Sequence, residues 1–219
     1  MFLGHFGLGF GAKKAAPAVS LGTFFVAAQF ADLLWPTLVL MGIEHVDVLP
    51  GATVVTPLNF ISYPYSHSLL GLALWGTILG VAYVVLGRVR PPVAALLAML
   101  VLSHWLLDYI THRPDMPLTF HGADRLGLGL WNSTVGTLTA EFAIFAAGVA
   151  LYSRATRSRD RVGSFGLWSL VVFFVVVYLA SVFGPPPPSA TAVAWSAQAM
   201  WLIVIWAYWV DGHRMRRHV

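Results

Sequence analysis

Six apolar stretches of about 20 residues dominate this sequence and place the chain in a membrane. A helix needs roughly 20 apolar residues to cross the hydrocarbon core of a bilayer. Only 10% of the 219 residues are charged, so the chain has too little polar surface to cover a water-facing globule. The stretches are residues 17–40, 67–87, 91–111, 132–152, 163–183 and 190–210. We therefore expect an all-α, polytopic membrane protein with six transmembrane helices in a single domain, residues 1–219.

The basic residues fall in clusters between these stretches, and the clusters predict an orientation. With six spans and a cytoplasmic N-terminus, 11 of the 13 lysines and arginines lie on the cytoplasmic side. This asymmetry agrees with the positive-inside rule, and five or seven spans would break it. The 11 residues are Lys13, Lys14, Arg88, Arg90, Arg154, Arg157, Arg159, Arg161, Arg214, Arg216 and Arg217. The pattern predicts a bacterial inner-membrane protein with both termini in the cytoplasm, in contact with lipids and not with nucleic acid.

Residues 2–12 are apolar and rich in glycine, but they are too short to span a bilayer. We expect them to form a short re-entrant or half-inserted helix. Such a segment is tolerated only where it is buried in protein or lines a cavity.

Ionisable residues inside the apolar stretches are the main functional signal. Each costs about 2.5–3.5 kcal/mol or more at the bilayer centre, so each calls for a functional explanation. At a rise of about 1.5 Å per residue, those inside the six stretches all fall in the outer half of the membrane. His5 reaches the same level only if residues 2–12 are re-entrant. The residues are His5, Asp32, His67, His104, Asp108 and Glu141, with His112 at a helix end.

The spacing of three of these residues predicts a metal site. His104, Asp108 and His112 follow one another at intervals of four, which places them on one helix face. Asp32, His67 and His5 come from other segments. Imidazoles and carboxylates that converge from several helices suit a divalent transition metal, zinc above all, with manganese or iron as alternatives.

Each residue also has a purely structural interpretation. His104 and Asp108 could be a hydrogen-bonded pair that ties two helices together. Asp32 could bind backbone groups freed by a proline kink at Pro36. His67 could cap a helix, and Glu141 could make a helix–helix contact. Their shared depth favours a common site over four separate structural roles.

Three segments resemble a known family. They are Gly4-His5-Phe6, Tyr63-Pro-Tyr-Ser-His67-Ser68, and Ser103-His104-Trp-Leu-Leu-Asp108 followed by His112-Arg-Pro-Asp115. Together with Asp32 they resemble the inner-membrane metal-dependent hydrolases, whose pattern runs T-H, P-D-x-D, T-H-S and H-x-x-x-D. The chain departs from the pattern where Leu34 stands in place of the second aspartate, so its site has one carboxylate fewer.

The resemblance implies a hydrolase that acts on a lipid or a lipid-linked ester or phosphoester from the outer side of the membrane. Asp32, His67, His104 and Asp108 would hold the metal, with His5 as a further candidate ligand. Glu141 or His112 would be the general base. Arg113, just outside the site, would hold an anionic headgroup. Two alternatives stay open: a transporter or cation pathway that uses the same polar residues, and a structural membrane protein.

Overall fold

Helices make up most of the protein. A computed structural model describes residues 1–217. The α-helices in this part of the chain are α1 (Leu3–Ala15), α2 (Leu21–Ala28), α3 (Phe30–Leu40), α4 (Pro64–His67), α5 (Leu69–Val85), α6 (Pro91–Thr111), α7 (Thr134–Ala155), α8 (Arg161–Phe183), α9 (Ala190–Gln198) and α10 (Met200–Gly212). The expectation of an all-α fold is therefore confirmed.

Short antiparallel strand pairs connect the helices, and the hydropathy pattern did not predict them. The pairs are β1 (His45–Val48) with β2 (Leu58–Ser62), β3 (Met116–Pro117) with β4 (Arg125–Leu126), and β5 (Thr156–Ser158) with β6 (Arg214–Arg216). A 3₁₀ turn, Leu130–Asn132, precedes α7. With two to five residues each, the strands are too short to be recognised from the sequence.

The expected number of six spans is not confirmed. Within residues 1–217, four helical segments are long and apolar enough to cross a membrane: α6, α7, α8 and the segment Ala190–Gly212 formed by α9 and α10. A fifth arises if α2 and α3, which meet at a 57° bend, count as one span. The remaining apolar helix, α5, has 17 residues. All six predicted stretches are helical, but the bend and the shortness of α5 lower the number of clear spans.

The short N-terminal helix predicted from residues 2–12 is present as α1. It has 13 residues, which makes it about 20 Å long, too short for a straight span. Its closest partner is α7, and the two backbones meet at glycines. A Cβ built on Gly148 would lie only 2.0 Å from the carbonyl oxygen of Gly7. Small residues of this kind allow close helix approach inside a membrane.

The basic clusters gather at one end of the helices, as the orientation rule requires. Strands β5 and β6 join the α7–α8 connection to the segment after α10. A cavity at this end is lined by Arg88 and Arg90 from the α5–α6 connection and by Arg216 and Arg217. The structure therefore confirms that these clusters share one end, and the cytoplasmic position of that end stays a prediction.

Candidate metal centre

The histidines and aspartates of the apolar stretches meet in one cluster at the end opposite the basic clusters. Asp32 lies in the first turn of α3, just after the bend, and His67 is the last residue of α4. His104 and Asp108 are one turn apart on α6, and His112 is the C-cap of that helix. The structure thus brings together residues that are 80 positions apart in the sequence (Asp32 to His112). We call these five residues the polar cluster.

Asp108 is at the centre of the polar cluster. Its Oδ2 lies 3.2 Å from Nε2 of His104 and 3.9 Å from Nε2 of both His67 and His112. The Asp32 carboxylate faces the same atoms, with Oδ1 at 3.3 Å from Nε2 of His67 and Oδ2 at 3.7 Å from Nε2 of His104. Three imidazole nitrogens and two carboxylates therefore converge on one small volume.

Hydrogen bonds on the far side of each ring fix which nitrogen faces this volume. Nδ1 of His104 lies 2.9 Å from the carbonyl oxygen of Ala28, which can only accept, so Nδ1 carries the proton. Nδ1 of His112 lies 2.9 Å from Oδ1 of Asp115, again an acceptor. Neutral His104 and His112 therefore present an unprotonated Nε2, the form that binds metals.

The environment of Asp115 keeps it in this accepting role. The hydroxyl of Tyr63 donates to Oδ1 of Asp115 at 2.9 Å. Burial, and next the charge of Asp115, raise the pKa of Tyr63 well above its usual value, so this hydroxyl keeps its proton. Tyr63 and His112 thus both donate to one carboxylate oxygen. Such carboxylate–histidine pairs orient the ligand imidazoles in many metal sites.

The buried histidines and aspartates of this cluster could hold a metal ion. Metal–ligand bonds of about 2.0–2.2 Å put neighbouring ligands roughly 3–3.6 Å apart, and the two shortest separations here, 3.2 and 3.3 Å, lie in that range. Nε2 of His104 is fully buried and has no hydrogen-bond partner within the described chain. A lone pair that faces two carboxylates is unfavourable unless a cation or proton lies between them. Two triads could hold an ion: Asp32–His67–His104 and His5–His104–Asp108.

Helix α1 completes the cluster from the other side of Asp108. Nε2 of His5 lies 3.0 Å from Oδ1 of Asp108, the oxygen that the α-amino group of Met1 also contacts. The His5 ring stacks on His104 with centroids 3.7 Å apart and planes 1° apart. His5 therefore lies beside the other predicted ligands. It contacts Oδ1 of Asp108, whereas the other imidazoles face Oδ2.

Glu141 lies beside the polar cluster in a different role. Its carboxylate accepts hydrogen bonds from the backbone N–H groups of Phe2 and Gly4, both at 2.8 Å. These groups form the N-terminus of α1, where a carboxylate is stabilised by the helix dipole. Glu141 thus anchors α1 to α7. Its predicted function as a general base stays a prediction.

Arg113 is held within the loops by contacts with Asp115 and Asn59. Its Nε lies 3.2 Å from Oδ2 of Asp115, and its Nη2 contacts Oδ1 of Asn59 in β2. The side chain is 34% exposed. In the described structure it supports Asp115, and the headgroup contact predicted for it stays a prediction.

A cavity of about 660 Å³ leads from the polar cluster to the outside of the helices. Four cluster residues form its polar end, and the rest of its lining is almost wholly apolar. Phe173 and Leu202, on α8 and α10, line the cavity and are 37% and 68% exposed. This part of the cavity therefore lies between the last helices. Its volume is typical of ligand sites.

Sequence reasoning missed Glu44 and Ser66, which support His67. Both are buried, but Glu44 follows α3 in a loop, outside the apolar stretches, where the hydropathy pattern does not mark an acidic residue as unusual. The sequence signal that could have identified Glu44 is a lone acidic residue close to the end of an apolar stretch. No family model, curated protein or solved structure matches the chain, so the site's interpretation depends on its geometry.

Proposed function

We propose that the protein is a membrane-embedded, metal-dependent hydrolase that acts on a lipid or lipid-linked ester or phosphoester. The observation that carries the proposal is the convergence of three histidine Nε2 atoms on two aspartates. The far nitrogens of His104 and His112 face acceptors that leave Nε2 free. Asp32, His67, His104 and Asp108 would hold the ion, with His5 as a further candidate. The ligand set suits zinc best, and manganese or iron would also fit.

When bound, a divalent ion supplies Lewis acidity to the substrate oxygen and to the attacking water. His112 is the better placed of the two candidate bases. It lines the cavity, and its ring is oriented by Asp115 with Nε2 toward the polar cluster. Nε2 of His112 would take the proton of the attacking water and return it to the leaving alkoxide. Glu141 is less well placed because its carboxylate is occupied by backbone N–H groups.

The cavity supports the choice of a lipid substrate. Its polar end would hold the ester or phosphoester group at the polar cluster, and its apolar part would hold the hydrocarbon chain. We infer that such a chain enters from the bilayer between α8 and α10, where the lining residues Phe173 and Leu202 are exposed. The polar cluster lies at the end opposite the basic clusters, and the orientation rule assigns this end to the outer side.

Metal analysis of the purified protein tests the proposal. We expect near-stoichiometric zinc, manganese or iron by elemental mass spectrometry, lost in the double variant His104→Ala/Asp108→Ala. His112→Asn should keep the metal but lose hydrolysis of phosphoester and ester lipids. His45→Ala, which changes an exposed histidine in β1, is the matched control and should change neither result.

Absence of metal from a folded wild-type protein after incubation with all three ions would refute the hydrolase. Metal binding with cation flux into liposomes, and no hydrolysis, would favour the cation pathway.

A further inference from the structure

Glu44 is a buried carboxylate outside the polar cluster, and its contacts lead directly to His67. It is 1% exposed. Its Oε1 accepts hydrogen bonds from the backbone N–H groups of Tyr65 and Ser66, at 2.8 and 2.9 Å. Its Oε2 accepts from the hydroxyl of Ser66 at 2.5 Å. Among residues 1–217 no basic side chain forms an ion pair with it.

The Ser66 hydroxyl connects this carboxylate to the imidazole. Its oxygen lies 2.7 Å from Nδ1 of His67. A hydroxyl has a single proton, and that proton goes to the Glu44 carboxylate, which when ionised can only accept. Nδ1 of His67 must therefore donate to Ser66. This leaves the lone pair of His67 on Nε2, the atom that faces Asp32 and Asp108.

We propose that Glu44, acting through Ser66, is a positioning residue that fixes the Nδ1–H tautomer of His67 and so makes its Nε2 available as a metal ligand. The consequence for metal binding rests on the proposed function, while the tautomer itself does not. A buried carboxylate without a cation is costly to keep. A glutamine oxygen at this position could accept the two backbone hydrogen bonds equally well. Only the hydrogen bond donated by the Ser66 hydroxyl requires the second oxygen of a carboxylate.

The isosteric variant Glu44→Gln gives a specific expectation. The amide oxygen would keep the two backbone hydrogen bonds, and the amide NH₂ would face the Ser66 oxygen as a donor. The hydroxyl proton of Ser66 would then turn toward Nδ1 of His67. Nδ1 would accept, and the imidazole proton would move to Nε2, where it blocks coordination. Replacing one carboxylate oxygen of residue 44 by an amide nitrogen should thus reverse the tautomer of His67, which is two hydrogen bonds away.

The test combines ¹⁵N imidazole NMR with Co²⁺ titration of the full-length protein in nanodiscs. We expect His67 to carry its proton on Nδ1 in the wild type and on Nε2 in Glu44→Gln. Co²⁺ affinity should fall about 10–100-fold in Glu44→Gln and Ser66→Ala, the usual effect of losing such a support. Ser66→Thr keeps the hydroxyl and should restore binding. Asp47→Asn, which alters an exposed carboxylate in β1, is the matched control.

The tautomer result decides the inference. An unchanged Nδ1–H signal of His67 in Glu44→Gln would overturn it, whatever the Co²⁺ affinity. A wild-type protein that binds no Co²⁺ would instead count against the hydrolase, and the tautomer of His67 in the wild type and Glu44→Gln would still confirm or refute the hydrogen-bond relay.

Discussion

Replacing Gly148 by alanine should separate α1 from α7. The added Cβ would lie 2.0 Å from the carbonyl oxygen of Gly7, about 1.4 Å less than the 3.4 Å at which ordinary contacts begin. The clashing atom is backbone, so no side-chain rotation relieves it. Overpacking of this kind costs about 1–3 kcal/mol. The displacement of α1 would also loosen the 3.0 Å contact of His5 with Asp108.

Gly11→Ala is the matched control, because it adds the same methyl group to the same pair of helices. There the Cβ would meet Leu151 Cδ1 at 3.5 Å, an ordinary contact. Both variants gain about 1 kcal/mol of helix propensity, which cancels in the comparison. We would measure unfolding in detergent by tryptophan fluorescence. A free energy of unfolding for Gly148→Ala within about 0.5 kcal/mol of that for Gly11→Ala would refute the close-packing argument.

Three further predictions concern the cavity, the buried ion pair and the support of His112. Val177→Trp should fill the cavity and lower the rate of lipid hydrolysis at least tenfold while metal content stays unchanged; equal loss of both would show that the variant disturbs the fold. Lys13→Met should destabilise the protein by about 3–5 kcal/mol, because it leaves the buried carboxylate of Asp211 without its cation, 2.6 Å away. Adding Asp211→Asn should recover much of this loss in chemical denaturation, and no recovery would contradict the ion-pair explanation. Asp115→Asn should reduce hydrolysis about 10–100-fold by releasing the ring of His112, with a smaller effect on metal affinity, as kinetic and Co²⁺ titrations would show.

The helical architecture could be predicted from the sequence because apolar length and the positions of arginines are local signals. All six predicted stretches contain helices. The break at Gln29 could not be predicted, since its neighbours in the sequence are all compatible with a continuous helix. This break bends the chain by 57° and presents the carbonyl of Ala28 to His104. Local propensity carries no information on such a tertiary hydrogen bond.

The members of the polar cluster were predictable, but their individual roles were not. Charge inside a membrane is costly enough to identify Asp32, His104 and Asp108 from the sequence alone. The same cost argument treats Glu141 as equivalent to them, although its carboxylate holds the start of α1. The role of each side chain depends on the contacts of its other carboxylate oxygen or its other ring nitrogen. Those partners, such as Asp115 for His112, come from loops whose conformation the hydropathy pattern does not determine.

The packing of α1 against α7 also determines the order in which the protein can be assembled. The backbone N–H of Gly4 can bond to the carboxylate of Glu141 only after Glu141 has been made, 137 residues later. At ribosomal rates of about 5–20 residues per second this delay is roughly 7–30 s. Asp108, the partner of His5 on α6, is made 103 residues after His5, so His5 lacks this partner for most of that time. Helix α1 is thus made before α6 and α7, but it can take its final position beside them only after α7 has been made.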